Sequence, residues 1–297
     1  MAVENHLDPL EDNRFVDVSP IDKKNLHYLL HHFHDDDEYF SDELICFNQR
    51  EIDEYKEKTT RAIHIFEEVL DDLVRTRSLN KLVGIPQYFH DCIYYSWENK
   101  IKNPFLLGRF DFNGGFSLSE PRIIECNADT CSTIPETIHW QQAQFAQVTK
   151  KATQYNHLED ALYNSFTRIK SNIKSQDPVI IGSTLGYPED RLNTEVILNL
   201  AFRAGIRTFQ SDLEHVIFSD DEGIFLETGP DQYEQANVFY KLFPWDWLFN
   251  DEPELGEILS KIIKNDLCTI LNPAYTAVWQ NKSFLAQITE KYPNDLL

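Results

Sequence analysis

Residues 177–210 read DPVIIGSTLGYPEDRLNTEVILNLAFRAGIRTFQ. The run Pro178-Val179-Ile180-Ile181-Gly182 is short, apolar and bounded by Pro and Gly, which fits a buried strand. Residues 189–204 then place Leu192, Val196, Ile197, Leu200 and Ala201 at helical spacing, and Gly205 follows where helices commonly stop. A second strand is expected over 206–209. Strand, helix and strand at this spacing predict a parallel sheet, so the fold class is α/β. Farther on, Gly223 sits at the turn of an expected hairpin over 218–226, and 237–242 reads as another strand.

Upstream, the first hundred residues read as helical. Leu44, Ile45, Ile52, Tyr55, Ala62, Ile63, Ile65, Phe66, Val69, Leu70 and Leu73 recur at roughly helical spacing, with acidic residues on the other face. Ile85-Pro86 breaks that pattern. From residue 105 the texture changes. Residues 105–111 and 122–127 flank Gly114-Gly115 and predict a hairpin, and 132–150 reads as helix. Beyond residue 245 helical stretches alternate with turns at Pro253, Pro273 and Pro293. The expected organisation is an N-terminal helical region (1–104), a hairpin and helix (105–176), an α/β unit (177–243) and a further unit beginning at 244 (244–297).

Composition narrows the function. The formal net charge is -22 over 297 residues. Nucleic acid is an unsuitable partner, because its phosphates need a basic surface, and an anionic membrane would be repelled. A small cation would be attracted. The 38 aromatics (20 Phe, 13 Tyr, 5 Trp) are too many for a disordered chain. Five cysteines without a CxxC pair argue against a disulfide framework or a zinc ribbon. With no signal-peptide pattern and no long apolar run, a cytoplasmic location is expected.

Arg109-Phe110-Asp111, followed by Glu125-Cys126-Asn127, is the strongest candidate for chemistry. Alternate strand residues share a face. If these strands pair, Arg109, Asp111, Glu125 and Asn127 can converge. Asp, Glu and Asn oxygens suit a hard cation such as magnesium, and Arg109 could grip a phosphate or carboxylate. The plainer alternative is a solvated sheet face with incidental charges. There is no GxxxxGK[ST] loop and no GxGxxG fingerprint.

Taken with the residues that follow, these segments resemble the glutathionylspermidine synthase family, whose members are ATP-grasp carboxylate–amine ligases. Gly108-Arg109-Phe110-Asp111-Phe112 and Glu125-Cys126-Asn127-Ala128-Asp129-Thr130 are similar to its metal-site signature. Glu189-Asp190 before a helix ending at Ala204-Gly205, Lys241-Leu242-Phe243-Pro244-Trp245-Asp246-Trp247, Asn272-Pro273 with Gln280-Asn281-Lys282, and Tyr292-Pro293 with Leu297 resemble later family segments in the family's order.

The resemblance implies an ATP-grasp-like fold with a pre-ATP-grasp α/β unit, lacking the segment that closes over ATP. It implies Mg2+ held by Asp111, Glu125 and Asn127, with Arg109 as the catalytic contact to the transferring phosphate. Thr130 and Ser132 would lie near a peptide acid such as glutathione. Glu189 and Asp190 would face an amine such as a polyamine, and Lys241 and Lys282 would hold ATP. A relative that binds nucleotide or peptide without turnover is the alternative, and a homodimer is compatible.

Three other features have plainer readings. His27, His31, His32 and His34 beside Asp35-Asp36-Asp37-Glu38 read as a hydrophilic helix end rather than a metal site. Cys126 and Cys131 read as small buried hydrophobes rather than nucleophiles. Phe239, Tyr240, Phe243, Trp245, Trp247 and Phe249 read as packing rather than a base-stacking box.

Overall fold

The computed structural model describes residues 15–17, 43–115, 119–147, 154–293 and 295. The histidine and aspartate run at 27–38 lies outside the described residues.

The first described elements are an antiparallel pair, β1 (Phe15–Asp17) and β2 (Glu43–Ile45). The helical reading of the N-terminal region therefore fails at Leu44 and Ile45. Three-residue strands are too short to show a period, and the partner strand, not the local pattern, fixes them. Helix α1 (Gln49–Arg75) follows. Asn48 caps it: its side chain accepts from the Glu51 N–H at 3.0 Å, and Glu51 returns an acceptor to the Asn48 N–H at 2.9 Å. Pro86 then opens α2 (Gln87–Glu98).

Next comes the hairpin β3 (Arg109–Gly115) and β4 (Ser119–Asn127). A π turn at Glu136–Trp140 leads into α3 (Gln141–Phe145), and α4 (Leu158–Asn172) precedes the α/β unit. That unit runs β5 (Val179–Thr184), α5 (Pro188–Arg203) and β6 (Arg207–Asp212). An antiparallel meander is inserted, made of β7 (Val216–Ser219), β8 (Gly223–Gly229) and β9 (Gln232–Gln235). Then follow β10 (Val238–Lys241), α6 (Trp245–Asn250), α7 (Pro253–Lys264), β11 (Thr269–Leu271), α8 (Thr276–Trp279) and α9 (Lys282–Lys291). Among the described residues, no helix is long and apolar enough to cross a membrane.

The four parallel strands stand in the order β11-β10-β5-β6. The chain leaves β5 to one side for β6 and returns to its other side for β10. The direction of winding thus reverses between β5 and β10. Crevices at the carboxyl ends of strands beside such a reversal are where open α/β sheets bind ligands.

Both faces of the sheet are covered. Val179, Ile181, Phe239 and Ile270 point into a core shared with α1, α2 and α7. Ile180, Val238, Tyr240 and Leu271 point into a core shared with α4 and α5. Every residue of β5 is buried, which is why its sequence is a continuous apolar run. Gly205 stops α5 with φ +85°, a conformation that side chains with a Cβ rarely adopt.

Helix α1 backs the hairpin. Phe66 meets Phe110 edge to face at 5.4 Å, and Tyr55 meets Phe112 at 5.4 Å. The Tyr55 hydroxyl donates to the Gly114 carbonyl at 2.9 Å. A Cβ on Gly115 would lie 2.0 Å from that hydroxyl, so the turn needs glycine. The phenylalanines of β3 thus take the α1 side and leave Arg109 and Asp111 on the other face.

Candidate functional site

In the ladder of the hairpin, Arg109 pairs with Asn127 and Asp111 with Glu125. All four side chains therefore share one face, as their spacing predicts. The register shifts immediately after Asp111, where Phe112 pairs with Ile123 and Ile124 is the extra residue. A bulge of this kind twists a strand and re-aims its neighbours, and it often lies beside functional sites.

Two carboxylates directly opposite one another repel. Arg109 offsets this: its Nε donates to Asp111 Oδ1 at 2.7 Å and its Nη2 to Oδ2 at 3.2 Å. The Asp111 hydrogen bonds hold the guanidinium's pKa above its ordinary value, with Glu125 adding to the effect. Both side chains remain about one-third open, at 36% and 34%. Glu125 forms no ion pair with a described residue, and Asn127 Oδ1 accepts from the Thr130 N–H at 3.2 Å.

These residues fit a hard cation by donor chemistry. They offer two carboxylates and an amide oxygen, the kind of small set magnesium uses when substrate phosphates and waters complete its shell. Among the described residues, no group of three or more His, Cys, Asp or Glu could hold a metal unaided. The face suits a cation that arrives with its own oxygens.

The loop after β4 is tied down from several sides. Asn193, buried in α5, accepts from the Ile134 N–H at 3.0 Å and donates to the Glu189 carbonyl at 2.9 Å. That bridge links the Thr130–Ser132 loop to the first turn of α5. Asp190 lies there, its carboxyl raised above the usual range first by burial and then by Glu189. Glu189 itself is exposed. Thr133 adopts φ +65°, an outlier for a β-branched residue. Cys126 is pushed up to about 12 and Cys131 to about 11, chiefly by burial. Both thiols are neutral at physiological pH, as expected of small hydrophobes rather than nucleophiles.

Lys241 sits beneath this loop and is fully buried. Its Nζ donates to Asp129 Oδ1 at 2.6 Å and to the Phe243 carbonyl at 2.8 Å, and lies 4.3 Å from the centre of the Trp245 ring. Asp129 Oδ2 accepts from the Trp245 N–H at 2.6 Å. Burial drives Asp129 up and Lys241 down, and their mutual attraction opposes both shifts. Asn272 completes the brace. Its Oδ1 accepts from the Leu106 N–H at 3.0 Å, and its Nδ2 donates to Leu107 and Ala128 carbonyls at 2.8 and 2.9 Å.

The structure therefore gathers Arg109, Asp111, Glu125 and Asn127 on one face, with Thr130, Ser132, Glu189 and Asp190 on linked segments. Lys241 would have to leave Asp129 and Phe243 to meet a phosphate. Lys282 is exposed at the start of α9, and no hydrogen bond or ion pair among the described residues links it to the hairpin face. Asp129, Asn193 and Asn272 carry no assigned role in the sequence reading. Their burial could not be foreseen, although all three stand inside the quoted segments.

A curated protein of Haemophilus influenzae (strain ATCC 51907 / DSM 11121 / KW20 / Rd), described as "Putative acid--amine ligase", is 26% identical over 201 residues, which cover 67% of this chain. The same match covers 48% of that protein, so the chain spans about half the length of the curated relative it matches. The family model described as "Glutathionylspermidine synthase preATP-grasp" matches residues 15–297. With that match over nearly the whole chain, the chain belongs to the glutathionylspermidine synthase preATP-grasp family.

Proposed function

We propose that the β3–β4 face binds the magnesium-bearing phosphates of ATP, and that the chain supplies this part of a carboxylate–amine ligase. The observation that carries the reading is the register that sets Asp111 against Glu125 and Arg109 against Asn127. Two opposed carboxylates beside one arginine form an arrangement that a bound cation would relieve.

The reaction runs in two displacements. A carboxylate oxygen of the acid attacks the γ-phosphorus, the bond to ADP breaks, and an acyl phosphate forms. The amine nitrogen then attacks the acyl carbon, phosphate leaves with the C–O bond pair, and the nitrogen sheds a proton to give the amide. Magnesium, when bound, would neutralise phosphate charge. Asp111, Glu125 and the Asn127 amide oxygen would hold it. Arg109 exchanges Asp111 for a phosphate oxygen, substituting one charge-assisted pair for another.

Thr130 and Ser132 offer hydroxyls to the acid, on a loop already fixed by Asn127 and Asn193. Glu189 and Asp190 receive the amine, a polyamine being the expectation from the family. Lys282 is available to ATP from the exposed start of α9. Lys241 acts from below, holding Asp129 and hence the loop. The test is ADP release from Mg-ATP in the presence of glutathione and spermidine. Release that requires both substrates supports the ligase reading. Nucleotide binding with no release contradicts turnover by this chain.

A further inference from the structure

Residues 130–134 run from the β3–β4 face to the first turn of α5, and the loop is tied at both ends. The Thr130 N–H donates to Asn127 Oδ1 at 3.2 Å, and the Ile134 N–H donates to Asn193 Oδ1 at 3.0 Å. Ile134 is 1% exposed, so water is a poor substitute for that second acceptor.

Asn193 is itself fixed. It is 4% exposed within α5, and its Nδ2 donates to the Glu189 carbonyl at 2.9 Å, one helical turn back. That bond sets which way the amide faces, with nitrogen toward the helix and oxygen toward Ile134. Both roles together require an amide. A carboxylate could accept from Ile134 but not donate to Glu189, and an aliphatic side chain of similar size could do neither.

The loop needs such a hold. Thr133 has φ +65°, and a β-branched residue keeps that conformation only where its surroundings over-determine it. The Thr133 side chain cannot supply the hold, because it is exposed and its hydroxyl donates to the Ser132 carbonyl inside the same loop. The restraint comes from either side. The Thr133 carbonyl accepts from the Thr137 N–H at 3.1 Å, and the next residue is the one bound by Asn193.

This loop carries two hydroxyls. Thr130 and Ser132 are half-buried, and neither hydroxyl is hydrogen-bonded to a described residue. A hydroxyl on a loosely held loop gives a ligand little, since ordering the loop costs much of what the contact returns. Between Asn127 and Asn193 the two hydroxyls are set in advance. The same amide grips the backbone of Glu189, so Glu189 and Asp190 share one fixed reference with Thr130 and Ser132.

We propose that Asn193 is a positioning residue: it sets the 130–134 loop against the first turn of α5, and so holds the seats of acid and amine at a constant separation while touching neither substrate. The inference rests on reading Thr130 and Ser132 as the seat of the acid. Two reactants that must meet lose large factors in rate when one is slightly misplaced.

The test compares the 297-residue parent with Asn193→Leu and Asn193→Asp. Amide hydrogen exchange is followed residue by residue in 15N–1H spectra. Asn193→Leu should speed exchange of the Ile134 amide by about tenfold or more and leave the β3–β4 and β5 amides at parental rates. Asn193→Asp keeps an acceptor for Ile134 and should restore most of the protection. Calorimetry then separates positioning from general stability. Asn193→Leu should bind glutathione about tenfold more weakly but Mg-ADP as the parent does, because the Asp111–Glu125 register is internal to the hairpin. Unchanged Ile134 exchange in Asn193→Leu, an acceleration shared equally by β5, or no recovery in Asn193→Asp would overturn the proposal. So would parental glutathione affinity on a loosened loop, or an equal loss of Mg-ADP. A parent that binds no glutathione would strike the acid reading itself. The exchange data need no ligand, and they distinguish that failure from failure of the Asn193 hold.

Discussion

Asp111 stands directly across the hairpin from Glu125, and both oxygens of the Asp111 carboxylate are held by Arg109 two residues away. The arginine and a metal ion would therefore compete for one carboxylate. Arg109→Ala is expected to leave Mn2+ binding, followed by electron paramagnetic resonance, equal or tighter. The same change should weaken ADP by about tenfold or more, because a charge-assisted phosphate contact is lost. Loss of Mn2+ binding would show instead that Arg109 supports the site's shape.

The Asp129–Lys241 pair predicts a stability pattern rather than a direct contact with substrate. Both side chains are at or near zero exposure, 1% and 0%. Lys241→Met strands a buried carboxylate, and breaking such a pair costs about 3–5 kcal/mol. Asp129→Asn combined with Lys241→Met should recover much of that loss, because neither charge is then buried alone. Chemical denaturation of the two variants decides it. A single variant as stable as the parent would mean that the pair contributes nothing.

Thr133 holds φ +65° in the loop between Ser132 and Ile134. Thr133→Gly should relieve strain and raise stability by up to about 1 kcal/mol. Thr133→Val keeps the strain and loses the 2.6 Å hydrogen bond that the Thr133 hydroxyl donates to the Ser132 carbonyl, so it should be less stable than the parent. Melting temperatures of the three proteins test this, and a destabilised glycine variant would refute it.

The Arg191 hydrogen bonds hold the Asp212 carboxyl below its ordinary value of 3.8. A depressed carboxylate stabilises the folded state above its unfolded pKa, and that contribution disappears as pH falls through the lowered value. Its size is under about 1 kcal/mol, because the pair is partly exposed. Arg191→Met should therefore lower stability at neutral pH and flatten the fall in stability below pH 3.8. A parallel acid limb in parent and variant would contradict the assignment.

The α/β unit was legible because its signals are local and repeated. Val179–Thr184 is an apolar run, Pro188–Arg203 has helical spacing, and Gly205 marks the stop. The convergence of Arg109, Asp111, Glu125 and Asn127 was legible because strand alternation has a fixed period. The β1–β2 pair was not, since three residues carry no period. Neither was the bulge at Ile124, which is set by pairing geometry. The burial of Lys241 was hidden for another reason: a lysine in a motif reads the same whether it faces a phosphate or an aspartate. Only the packing of the hairpin root on β10 distinguishes the two.

The most direct test of the central claim is calorimetric titration of the 297-residue chain with ADP, with Mg2+ and with EDTA, beside the Glu125→Ala variant. The account predicts binding to the parent that EDTA abolishes, and an affinity lowered by about tenfold or more in the variant. Equal affinity in parent and variant, or binding indifferent to EDTA, would contradict a metal–nucleotide site on the Asp111–Glu125 face.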